Sequence, residues 1–79
     1  MNVLASSSTA TTAAVAYCHR LGVRVLGADR VGRRLTIRVV SADDVETVAW
    51  DQHSQVVALP RPHVDALIGG VKVRVEAAR

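Results

Sequence analysis

"RRLTIRVV", residues 33–40, is the stretch on which the fold turns. Its residues alternate with period two: Leu35, Ile37 and Val39 point one way, Arg34, Thr36 and Arg38 the other. This is the pattern of a strand with one buried face and one wet face. Just upstream, "VRVLGA" (23–28) reads as a partner strand, and "DRVG" (29–32) supplies Asp and Gly for a turn. The pair predicts a β-hairpin.

Downstream, "SADDVETVA" (41–49) predicts a helix. Ser41 is placed as N-cap, Asp44 follows three residues on, and Asp43, Asp44 and Glu46 load the first turn with negative charge that suits the helix dipole. Ala42, Val45, Val48 and Ala49 form its apolar stripe. Val, Thr and Trp within 45–50 also suit a strand, so the β reading stands beside the helical one.

Toward the N-terminus, Ala10, Ala13, Ala14, Tyr17, Cys18 and Leu21 fall on a single helical stripe. A helix from about Thr9 is expected, capped by Ser7 or Ser8 and stopped at Gly22, with residues 1–8 as a flexible lead-in to one domain over 9–79. Toward the C-terminus, "DQHS" (51–54) reads as a loop and "QVVAL" (55–59) as a short strand ended by Pro60 and Pro62. "HVDAL" (63–67) reads as a helical turn or irregular chain, and "VKVRVEA" (71–77) as a second clearly alternating strand. The order αββαββ implies an α+β two-layer sandwich: a four-stranded, mainly antiparallel sheet with two helices on one face.

A chain of 79 residues holds one small domain. Its core must be built from small pieces, because there is no Phe and the only large rings are Tyr17 and Trp50. Dimerisation would bury more apolar area. The single Cys18 excludes an internal disulfide and fits a reducing, cytoplasmic setting. Ala14-Val15-Ala16 resembles a signal-peptidase site, but no Lys or Arg precedes it and Ser6 to Thr12 break any apolar run. No run is long enough to span a bilayer, so no membrane partner is expected.

The net charge of +3 hides an uneven spread: residues 18–38 carry six arginines against Asp29 alone. In the expected sandwich Arg34, Thr36, Arg38, Lys72 and Arg74 share the open face, and Arg24 joins them if Val23 and Val25 face the core. An antiparallel sheet with one wet face needs polar residues there in any case. Beyond solvation, two uses of such a face are open. Arginine mixed with Leu26, Val40 and Glu76 suits a protein partner or a second copy. The same cations could contact phosphates, giving sequence-independent nucleic-acid binding. The strands carry no ring side chains for base stacking, and the second helix is acidic, unlike a basic recognition helix.

Catalytic and metal constellations are sparse. Cys18, His19, His53 and His63 match no zinc spacing, so no metal and no cofactor is expected. Asp51, His53 and Ser54 stand too close in sequence to reach triad geometry readily, and no oxyanion-hole glycine pattern accompanies them. Gly69-Gly70 lacks the Gly-Lys-Ser/Thr of a phosphate loop. The chain reads as a non-enzyme with no small-molecule substrate. Trp50 falls off the helical stripe; it either folds over the core edge or anchors an interface.

The stretch "AAVAYCHRLGVRV…RRLTIRVVSADDVETVA" with the closing "GGVKVRVEA" resembles small uncharacterised α/β proteins of actinobacteria and their phages. The resemblance implies a two-layer α/β fold and no defined activity, and it transfers no functional residue; many such phage proteins act by binding a host protein. Taken together, the expectation is a small binding protein acting on a protein partner or on itself through Arg24, Arg34, Arg38, Trp50, Lys72 and Arg74. Nucleic-acid binding through the same groups is the alternative.

Overall fold

The computed structural model describes residues 3–54 and 63–78. Two helices pack on one face of a four-stranded sheet, in the order α1 (Val3–Arg20), β1 (Val25–Val31), β2 (Arg34–Val39), α2 (Ala42–His53), β3 (His63–Ile68) and β4 (Val71–Ala77). The strands lie in the order β1-β2-β4-β3. Each hairpin is antiparallel, and the two meet through the parallel pair β2 and β4.

Period-two alternation decides which side is buried. Leu35, Ile37 and Val39 of β2 lie level with Val73, Val75 and Ala77 of β4. With Ala66 and Ile68 of β3 they form the sheet side of the core, against Ala14 and Cys18 of α1 and Val45 and Val48 of α2. The helical stripe predicted for α1 therefore faces the sheet, although Ala13 on its border is exposed. The α2 stripe is buried at Val45, Val48 and Ala49. The Asp44 carboxylate accepts the Ser41 backbone N–H at 3.2 Å, the acidic half of the expected capping arrangement.

Several boundaries differ from the sequence reading. Helix α1 starts at Val3, so Ser7 and Ser8 lie inside it rather than at its cap. Strand β1 runs through Val31, leaving Gly32-Arg33 as the turn and placing Asp29 and Arg30 in the strand. Helix α2 continues through His53, where a loop was expected, and ends at Ser54 in a left-handed conformation whose N–H bonds the Trp50 carbonyl at 2.8 Å. Residues 63–67, expected as a helical turn or irregular chain, belong to strand β3 (His63–Ile68); the strand expected over 55–59 lies outside the described residues. The reason is the turn. Gly69 and Gly70 both have positive φ, +59° and +82°, so they form a two-residue hairpin loop that requires a strand on each side.

The helices are tied to each other and to the sheet edge by one polar chain. The Leu67 backbone N–H donates to Gln52 Oε1 at 2.9 Å, Gln52 Nε2 donates to the Tyr17 hydroxyl at 2.9 Å, and that hydroxyl donates to the Asp51 carboxylate. Gln52 thus occupies a donor on the outer edge of β3, which limits strand addition there. Partial burial, then the bond to Asp51, push the Tyr17 phenol up from 10.0 to about 12. Raised above its unfolded value, this group contributes stability below pH 10.0 that is lost as pH climbs through about 12. Tyr17 is the chain's one tyrosine, so phenolate absorbance follows it alone. The titration midpoint should lie near 12 in the folded protein and return to about 10.0 in denaturing urea. Alkaline destabilisation across that window should shrink in Tyr17→Phe, with the buried Cys18 thiol, also pushed up, supplying a remainder. An ordinary midpoint in the folded state would disprove the helix-to-helix link.

Candidate interface on the open sheet face

The face turned away from the helices is organised in rows by the strand register. The middle row holds Asp29 (β1), Thr36 (β2), Arg74 (β4) and Asp65 (β3). The next row, toward the ends of β2 and β4, holds Gly27, Arg38, Glu76 and His63. The remaining row lies at the start of β2 and β4 and brings Arg34 beside Lys72, with Leu67 opposite Lys72 on β3. Both hairpin turns lie at this same end, because β2 and β4 are parallel, and Arg33 in the first turn joins the corner.

The arginines on this face fall into two kinds. Arg38 is held down: its guanidinium lies over Gly27, where an added Cβ would sit 2.7 Å from Nη2, and its Nη1 lies 3.5 Å from Asp29. A residue without a side chain is what lets Arg38 lie flat across β1, next to the bulge between Val25 and Gly27. Arg74 is flanked by Asp65, with Nε 3.9 Å from its carboxylate. That Nε is buried and has no hydrogen-bond partner, so the contact is coulombic only. By contrast Arg33, Arg34 and Lys72 take part in no ion pair among the described residues. They line an open groove of about 740 Å³ with Thr36, Asp65 and Arg74.

The open face carries more acid than the sequence reading placed there. Asp29 and Asp65, read from sequence as loop and turn residues, stand in the middle row and join Glu76, which was expected on this face. Within the strand rows, the cations without an ion pair among the described residues, Arg34 and Lys72, stand together at one corner with Arg33. Arg24 is exposed just ahead of β1, its carbonyl accepting the Val40 N–H at 3.3 Å; it sits at the opposite end of the sheet from the groove. Trp50 does not fold over the core edge. It is 54% exposed on α2, in the layer behind the sheet, and so is separated from the arginines it was grouped with. Two contributors were missed. Leu67 is 64% exposed, and its place on the open face follows only once 63–68 is a strand. Arg33 reaches the groove because the turn is two residues long.

Cys18 is buried in the core, where desolvation and then the nearby Asp44 push its thiol up, away from the reactive thiolate. Asp51 receives the Tyr17 hydroxyl, and Ser54 caps α2. Among the described residues no three His, Cys, Asp or Glu side chains cluster as a metal site would need, and no helix is long and apolar enough to cross a membrane. Comparison with known proteins found no matching family model, no matching curated protein and no matching solved structure.

Proposed function

We propose that this chain is a non-enzymatic, cytoplasmic binding domain that needs no cofactor and docks a protein partner on its open sheet face. The observation that supports a protein is the mixture of groups. Unpaired cations and exposed Leu67 share one corner, while Asp29, Asp65 and Glu76 interrupt the rest of the face. Protein interfaces combine arginine, aliphatic anchors and charges of both signs. A track for nucleic-acid backbone gains affinity from each phosphate it neutralises, and three carboxylates in its path would repel phosphates.

A photo-reactive residue at Thr36, in the middle of the face, tests the reading in cells that produce the protein. It should yield a protein adduct that resists nuclease and disappears in the Arg34→Glu/Lys72→Glu double variant. The same probe at Thr47, exposed on α2, should not yield that adduct. A nuclease-sensitive adduct would replace the protein partner with nucleic acid. Adducts from Thr47 alone would move the interface to the helical layer, and an adduct with a second copy would make the partner the chain itself.

A further inference from the structure

We infer that the corner made by Arg33, Arg34, Lys72 and Leu67 receives an acidic segment of the partner, in which carboxylates stand beside an apolar side chain. This rests on the open face being the interface, and it names what that interface recognises. Charge complementarity carries it. Arg34 and Lys72 occupy neighbouring strands, about 4.8 Å apart at the backbone, so one carboxylate can be bracketed by both. Arg33 in the turn meets a second carboxylate at the groove's rim. Lys72 has Leu67 as its cross-strand neighbour, exposed at 64%, which gives an apolar contact directly beside the cations.

The acids on the face set the limit of the site. Asp65 borders the groove and Asp29 lies at the far edge of the same row, so an anionic ligand is turned back from the middle of the sheet. The site therefore suits a short cluster of carboxylates rather than an extended polyanion. Arg74 contributes less to recognition, since Asp65 already stands against it. Thr36 adds a hydroxyl at the inner wall of the groove.

The test is fluorescence anisotropy of the full chain with a short labelled peptide alternating Glu and Leu, at near-physiological salt. Comparison probes are its Gln-for-Glu counterpart and a random single-stranded DNA. The Glu peptide should bind, and its Gln counterpart should bind at least about tenfold more weakly. Arg34→Gln/Lys72→Gln should lose about tenfold with unchanged circular dichroism, and Leu67→Ser should lose a smaller factor. Equal binding of the two peptides, no binding of either, no loss in the variants, or a preference for the DNA would each overturn the acidic-segment assignment. Failure here with the Thr36 adduct intact would refute the ligand class and leave the interface; loss of both would remove the interface as well.

Discussion

Ile37→Ala should leave much of the protein unfolded at ambient temperature. Ile37 is fully buried in a central strand, level with Ala28 on one side and Val75 on the other. Large-to-small changes at such sites cost about 2–5 kcal/mol, the upper part of the range where neighbours cannot close the gap. Here they are poorly able to. The surrounding core is mainly valine and alanine with Cys18, and β-branched side chains are stiff at χ1. A single core in a domain of this size rarely supplies more than about 3–5 kcal/mol, so the loss is comparable with the whole. Ile37→Val, which removes one methyl, should cost only about 1 kcal/mol and stay folded. Urea denaturation followed by far-UV circular dichroism is the measurement, because half-exposed Trp50 is a poor reporter of core opening. A cost under about 1 kcal/mol for the alanine variant would mean the layers collapse onto the vacancy.

Why Ile37 is so placed could be read from "RRLTIRVV" alone, because strict alternation over a strand fixes the buried side whatever the strand's partners are. The same holds for Val73 and Val75 in "VKVRVEA" and for the stripe through Ala14 and Cys18. What alternation cannot supply is the lateral neighbour. Asp29 and Asp65 were visible as acids, but their bearing on the arginines depends on which strands adjoin. That is a non-local fact: Asp65 meets Arg74 through the β3–β4 register, and Asp29 meets Arg38 by a diagonal reach over Gly27. One local signal does bear on β3. Two consecutive glycines directly before an alternating strand mark a two-residue hairpin loop, and this demands that "HVDALI" be a strand with Leu67 facing outward. The α2 boundary slipped for the opposite reason. Asp51, Gln52 and His53 lack apolar periodicity, yet they stay helical because Asp51 and Gln52 hold Tyr17 and Gln52 also holds the β3 edge.

The division between tethered and free cations makes the open face testable by position. Charge reversal at Arg34 and Lys72 together should reduce partner affinity by about a hundredfold or more, roughly 2.7 kcal/mol, since each change replaces an attraction with a repulsion at the contact. Arg38→Gln should change affinity by less than about threefold, because Arg38 is already engaged by Asp29 and opposed by Glu76, and exposed ion pairs of this kind are worth about 0–1 kcal/mol. Neither replacement touches the core, so thermal unfolding should stay close to that of the wild type. The double reversal exchanges one exposed like-charge pair on adjacent strands for another of opposite sign, which leaves their mutual repulsion little changed. Titration of the captured partner against the three proteins, repeated at raised salt, separates the cases. A purely electrostatic contact would lose most of its affinity with salt, whereas one anchored by Leu67 should retain a salt-resistant remainder that disappears in Leu67→Ser. If Arg38→Gln proved as damaging as the double reversal, the Asp29 tether would have to open on binding. The recognition surface would then extend over the whole face, and the corner at Arg34 and Lys72 would be only one end of it.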